Sequence, residues 1–121
     1  MTTDYKQGIV QTSPLGAMVA INTPITVYTR IGQRTMRIRK IHLFNHSAVN
    51  GTVEIGTGLA PLVQAIPAIA VVSGMDLWLE PDQIPGVEFD ANITAQATMA
   101  IGVAPNDVEI QIDVEEYPGR R

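Results

Sequence analysis

Residues 108–115 read Val-Glu-Ile-Gln-Ile-Asp-Val-Glu. Val108, Ile110, Ile112 and Val114 alternate with Glu109, Gln111, Asp113 and Glu115. An extended chain sends successive side chains to opposite faces, so this is a strand with one dry and one wet side. The two-residue period recurs along the chain. Ile25, Val27 and Thr29 alternate with Thr26, Tyr28 and Arg30, and Leu77 and Leu79 alternate with Asp76 and Trp78. Val87 and Phe89 set a phase that Ile93, Ala95, Ala97, Met99 and Ile101 continue. The alanines of 93–100 favour helix, which makes this the least strand-like of the segments. Turn chemistry separates them at Gly32, Ser73-Gly74, Pro81–Gly86 and Pro105–Asp107. About seven or eight short strands and no helix imply an all-β fold. The expected architecture is an antiparallel β-sandwich, jelly-roll-like, with an extended N-terminal arm.

The run 35–57 is the densest in strand-forming residues. Met36 and Ile38 alternate with Thr35, Arg37 and Arg39, and the pattern then changes phase, so that Ile41 and Leu43 oppose Lys40 and His42. One extra residue at Arg39-Lys40, a β-bulge, puts both halves on one face. The alternative is a strand apolar on both sides near its end, since Phe44 falls on the polar face. Asn50-Gly51 is a hairpin signal, and it predicts that 35–45 and the strand carrying Val53 and Ile55 pair across a turn.

Residues 59–74 are the most apolar part of the chain. Pro67 lies in the middle and breaks any helix, so the segment reads as a loop or short strand to Ala65, then a strand over 68–72. Residues 1–24 read as an arm punctuated by Gly8, Pro14, Gly16 and Pro24. Its apolar patch at 17–21 packs either on its own domain or on a neighbouring subunit, and we expect the second. The domain proper spans 25–117, with a short tail at 118–121. Trp78 falls out of phase with Leu77 and Leu79, and is therefore capped by the arm or exposed.

A chain of 121 residues supports one domain with a real core. No apolar run is long enough to span a bilayer as a helix, and the polar start is unlike a signal peptide. With no cysteine, disulfides and thiol chemistry are excluded. The net charge of −4 disfavours direct nucleic-acid binding. Basic residues concentrate at Arg30, Arg34, Arg37, Arg39 and Lys40, and acidic ones in the second half. Either opposite-sign strands pair within one sheet, which we favour, or a basic patch meets an acidic patch on a neighbour.

No catalytic constellation is present. His42 and His46 are four apart, but on a strand that is about 13 Å, too far to share one metal ion. Ser13, Ser47 and Ser73 sit in turn-like sequence, outside any nucleophile elbow. The 56–58 glycines precede neither Lys-Ser/Thr nor a helix, so no phosphate loop is formed. No cofactor and no metal site is expected.

The run from Val27 through Gly32, Arg37-Ile38-Arg39-Lys40-Ile41, Leu43-Phe44-Asn45 and Val53-Glu54-Ile55 resembles small β-sandwich virion proteins of tailed bacteriophages. In these a glycine turn precedes an I-x-x-I-x-L-x-N strand. The likeness covers about a quarter of the chain and carries no active-site residue. It implies a non-enzymatic virion protein, assembled in the host cytoplasm. The form expected first is a head decoration (cement) protein, a homo-oligomer with a trimer favoured, contacting the major capsid protein or another virion protein. A tail or neck component is the alternative. A lectin-like module for host attachment, stacking sugar on Trp78 or Tyr28, is a further alternative. Expected interface residues are Met18, Val19, Ile21, Arg37, Arg39 and Trp78. Neither nucleic acid nor a membrane is an expected partner.

Overall fold

The computed structural model describes residues 9–117. They form β1 (Ile9–Thr12), β2 (Gly16–Met18), β3 (Ile25–Tyr28), β4 (Thr35–Asn45), β5 (Gly51–Thr57), β6 (Val63–Gln64), β7 (Ile69–Val71), β8 (Asp76–Leu79), β9 (Ile93–Ala97) and β10 (Val108–Tyr117). A 3-10 turn at Pro81–Gln83 is the one helical element among the described residues. Two antiparallel five-stranded sheets face each other. One runs β1-β10-β4-β8, with β2 also on β10, and the other runs β3-β9-β5-β6, with β7 also on β5. β1 and β2 lie end to end along β10, and β6 and β7 do the same along β5. Treating each such pair as one interrupted strand leaves eight, in the order 1-8-3-6 over 2-7-4-5. This is a jelly roll, and the expected β-sandwich is the fold observed.

The core is the set of residues whose phase the alternation gives. Ile41 and Leu43 of β4, Val53 and Ile55 of β5, Ile93, Ala95 and Ala97 of β9, and Val108, Ile110, Ile112 and Val114 of β10 are all buried. The bulge is present. Ile38 pairs with Val114 and Lys40 with Asp113, so Arg39 is the extra residue that restores the phase.

The expected hairpin is absent. β4 and β5 lie in different sheets, and the residues between them build a corner instead. The buried Asn45 side chain accepts hydrogen bonds from the Ser47 N–H at 3.0 Å and the Ser47 hydroxyl at 2.6 Å, and its Nδ2 donates to the Val49 carbonyl at 2.8 Å. Asn50 Oδ1 accepts from the Ser73 N–H, so the residue read as a turn signal ties two loops together. Two-residue periodicity reports which face of a strand is dry, but not which sheet the strand joins.

The segment read as an arm is also different. Residues 1–8 lie outside the described residues, but from Ile9 onward the segment adds β1 and β2 to the edge of its own sheet, beside β10. Residues 87–89 form no strand beyond a single bridge between Met36 and Phe89. The tail at 118–121 lies outside the described residues.

Candidate interaction surfaces

The outer face of the first sheet is built by β4 and β10, whose wet residues carry opposite charge. Arg39 pairs with Glu115 at 3.2 Å, Arg37 with Glu88 at 3.1 Å and Lys40 with Glu80 at 3.9 Å. His42 meets Asp76 at 2.5 Å and His46 meets Glu109 at 2.8 Å. The basic strand is thus neutralised within its own chain, as favoured from sequence. Exposed pairs of this kind contribute roughly 0–1 kcal/mol each, so they specify strand pairing more than they stabilise it. Arg37 and Arg39 carry intramolecular partners. His42 and His46 belong to separate pairs, and no cluster of three metal-ligating side chains exists among the described residues.

Trp78 lies on the edge strand β8 and is 53% exposed. Its indole stacks on the His42 imidazole of the neighbouring strand, with ring centroids 3.8 Å apart and 10° between planes. The His42 imidazole covers one face of the indole. The described part of the arm does not cap it, because β1 and β2 lie at the opposite edge of the sheet.

A second surface is poor in charge, with the Glu54 carboxylate, held by Gln96 Nε2 at 2.6 Å, at its border. Residues 55–75 contain neither acidic nor basic side chains, and the same holds for 9–29. In the first run Leu59, Val63 and Val72 are 51%, 63% and 50% exposed. In the second run Val19 and Ile21 are exposed. Met18 is not available to a partner: its phase on β2 points it between the sheets, opposite Val108, and it is fully buried. The two runs meet at a groove of about 460 Å³ lined by Asn22, Pro24, Gln96 and residues 59–62. Glycine permits this. A Cβ on Gly56 would overlap the Val63 carbonyl, so only glycine lets β6 approach β5 here. The Thr94 hydroxyl, on the outer side of β9, donates to the Gly58 carbonyl at 2.8 Å and holds the 58–62 loop across the sheet.

One buried cluster was missed from the sequence, although Glu116 was within reach of the alternation. Glu116 continues the dry phase of Val114, and its side chain is 1% exposed. The Tyr28 hydroxyl donates to its Oε2, and Arg34 Nη1 donates to its Oε1 at 2.5 Å. Tyr28 is correspondingly buried, because the register of β3 on β9 shifts between Thr26 and Tyr28 and turns the ring inward. Tyr28 is therefore no stacking platform. Burial pushes the Glu116 carboxyl above its ordinary value of 4.5, since desolvation disfavours the charged form. The cluster joins β3 of one sheet to β10 of the other.

No protein-family model matches the chain. No curated protein matches it. Among solved structures it is similar to a chain of the Bacillus endospore appendages described as a novel family of disulfide-linked pili. The identity is 13%, over 94% of this chain and 92% of that chain, with a TM-score of 0.44. No helix among the described residues is long and apolar enough to cross a membrane.

Proposed function

We propose that this protein is a non-enzymatic structural component of a phage virion, a capsid decoration protein. It would be assembled in the host cytoplasm and would stabilise the head through contacts between its own copies and with the major capsid protein. The observation that supports this reading is the set of exposed apolar side chains Val19, Ile21, Leu59, Val63 and Val72 on an acidic domain whose basic strand is paired internally. Contiguous apolar exposure of this kind marks an interaction surface. The jelly-roll order adds a fold-level analogy, because capsid proteins are among the functions it hosts. A tail or neck position uses the same surface. The test is light scattering after size exclusion, followed by sedimentation with purified capsids that lack the protein. Self-association, with a trimer expected, and saturable capsid binding are the predicted results. A strict monomer that ignores capsids refutes the proposal.

A second reading has one observation in its favour. The half-exposed Trp78 indole, braced by His42 at a sheet edge, offers a face on which a sugar ring can stack. A lectin-like attachment module predicts hits on a glycan array that disappear in Trp78→Ala. An array without hits removes this reading.

A further inference from the structure

Two stacked ring pairs stand in adjacent rows on the outer face of the first sheet. Trp78 of β8 lies opposite His42 of β4, and Phe44, two residues further along β4, lies opposite Asp76. Two residues along a strand is about 6.6 Å, so the rows are neighbours. In the first row the indole stacks on the His42 ring. In the second the His46 ring stacks on Phe44, with centroids 4.1 Å apart and 11° between planes. A carboxylate fixes each histidine: Asp76 Oδ1 lies 2.5 Å from His42 Nε2, and Glu109 Oε1 lies 2.8 Å from His46 Nε2. Glu109 comes from β10 and flanks Phe44 on the side away from Asp76. The second oxygen of each carboxylate, Asp76 Oδ2 and Glu109 Oε2, accepts no hydrogen bond among the described residues.

Resting on the carbohydrate reading above, we propose that the four rings form one extended site for a neutral oligosaccharide, with Trp78 and the Phe44–His46 stack as its two platforms. A pyranose has an apolar face of C–H groups and a rim of hydroxyls. The face suits an aromatic surface, and the hydroxyls are donors for carboxylate oxygens that lack one. Asp76 and Glu109 place such oxygens on either side of Phe44. The rings are held by their partners before any ligand arrives, which lowers the ordering cost of binding. Two platforms in neighbouring rows give a place to each of two linked sugars. Charge sets the class of sugar. Asp76, Glu109 and Asp113 stand in these rows and the next, where Lys40, opposite Asp113, is 3.9 Å from Glu80. A sialic or uronic acid brings a further carboxylate and meets like charge. An ammonium ligand would have the right charge, but cations are held over free ring faces. Here each ring turns one face to its neighbour, so the pairs make stacks and not a cage. The site is also separate from the assembly surface, because the rings lie on the first sheet and exposed Val63 on the second.

The test sets an array of neutral hexose mono- to hexasaccharides beside their sialylated and uronic-acid counterparts. The best neutral oligomer and its monosaccharide are then titrated against the protein. Trp78 is the one tryptophan of the chain, so its emission reports occupancy. His46→Ala, at an exposed position, and Phe44→Ala each remove one ring of the second stack, with circular dichroism as the check on folding. The expected hits are neutral and vanish in Trp78→Ala. Affinity for the oligomer should fall about 2- to 10-fold in each second-stack variant, as the loss of one aromatic contact predicts, while affinity for the monosaccharide on Trp78 is unchanged. Hits confined to acidic glycans overturn the assigned class. Neutral hits whose oligomer affinity is the same in wild type and His46→Ala overturn the extended site. Either result leaves the carbohydrate reading standing. An array without hits removes both the inference and the reading it rests on.

Discussion

Tyr28→Phe removes one hydroxyl from a buried cluster and nothing else. In the native protein that hydroxyl donates to the Glu116 carboxylate, whose side chain is 1% exposed. A hydrogen bond to a charged group contributes about 1.5–3 kcal/mol, and one to a neutral group about 0.5–1.5 kcal/mol. At pH 7 the variant should therefore lose about 2 kcal/mol. Below the carboxyl's folded pKa the acceptor is neutral, and the loss should shrink to about 1 kcal/mol. The difference, at about 1.4 kcal/mol per pKa unit, corresponds to a further rise of somewhat under one unit in the Glu116 pKa. The sign of the wild-type dependence follows from the same group. Its folded pKa already lies above the ordinary 4.5. Its stability contribution is thus fully present below 4.5 and declines as pH rises through the folded value. Urea denaturation at several pH values between 4 and 7 reads both effects. Circular dichroism is the appropriate signal, because it reports the strands directly, whereas the Trp78 emission also reports its stack on His42. A Tyr28→Phe loss below 0.5 kcal/mol at pH 7, or one that grows on acidification, would refute the account of Glu116 as an ionised acceptor at neutral pH.

Other perturbations follow from the same geometry. Arg34→Ala should cost about 1–3 kcal/mol by urea titration at pH 7, because it leaves the Glu116 carboxylate, 1% exposed, with the Tyr28 hydroxyl alone. Ile41→Ala removes a fully buried side chain and should cost about 2–5 kcal/mol, measured in the same titration. Gly56→Ala should push β6 off β5, because its Cβ overlaps the Val63 carbonyl. Faster amide exchange at Val63 and Gln64, with exchange in β10 unchanged, is the expected signature. Deleting Arg39 should be tolerated, because it removes the bulge and leaves Ile38, Ile41 and Leu43 in one phase. Deleting His42 should abolish folding, because it turns Leu43 out of the core, and melting curves of the two deletions decide this.

The physical limits of the sequence are visible in particular residues. Val108 to Val114 and the phase change at Arg39 were legible because alternation is a local property, and both strands bury the faces it indicates. The partner sheet was not legible, because pairing in a jelly roll is non-local. Among consecutive strands only β5 and β6 pair directly. The Asn50-Gly51 signal failed because Asn45 and Ser47 supply a side-chain corner that competes with a two-residue turn. Glu116 could have been found by extending the phase of Val114 by one step. Tyr28 could not, since a register shift against β9 decides its orientation. The charge-poor surface was half legible: both runs are plain in the sequence, and their meeting at a groove is a product of the fold.

The distribution of charge has a reason that ties fold to assembly. A slip of β4 along β10 by two residues keeps every apolar side chain on the dry face, so alternation alone does not fix the register. Two features of the pair do. The bulge at Arg39 fits opposite the Asp113–Val114 step, and Arg39–Glu115 together with His46–Glu109 reward one alignment of the wet face. Charges are therefore concentrated where long, regular strands need them. β5 carries one charge, Glu54, bonded to Gln96 of β9, while Gly56, Pro67 and the very short strands restrict the pairing of β6 and β7 by shape. Under the proposed assembly, the exposed Leu59, Val63 and Val72 of 55–75 are where this sheet meets another protein. Adding ion pairs to the second sheet would then strengthen register and weaken assembly at once.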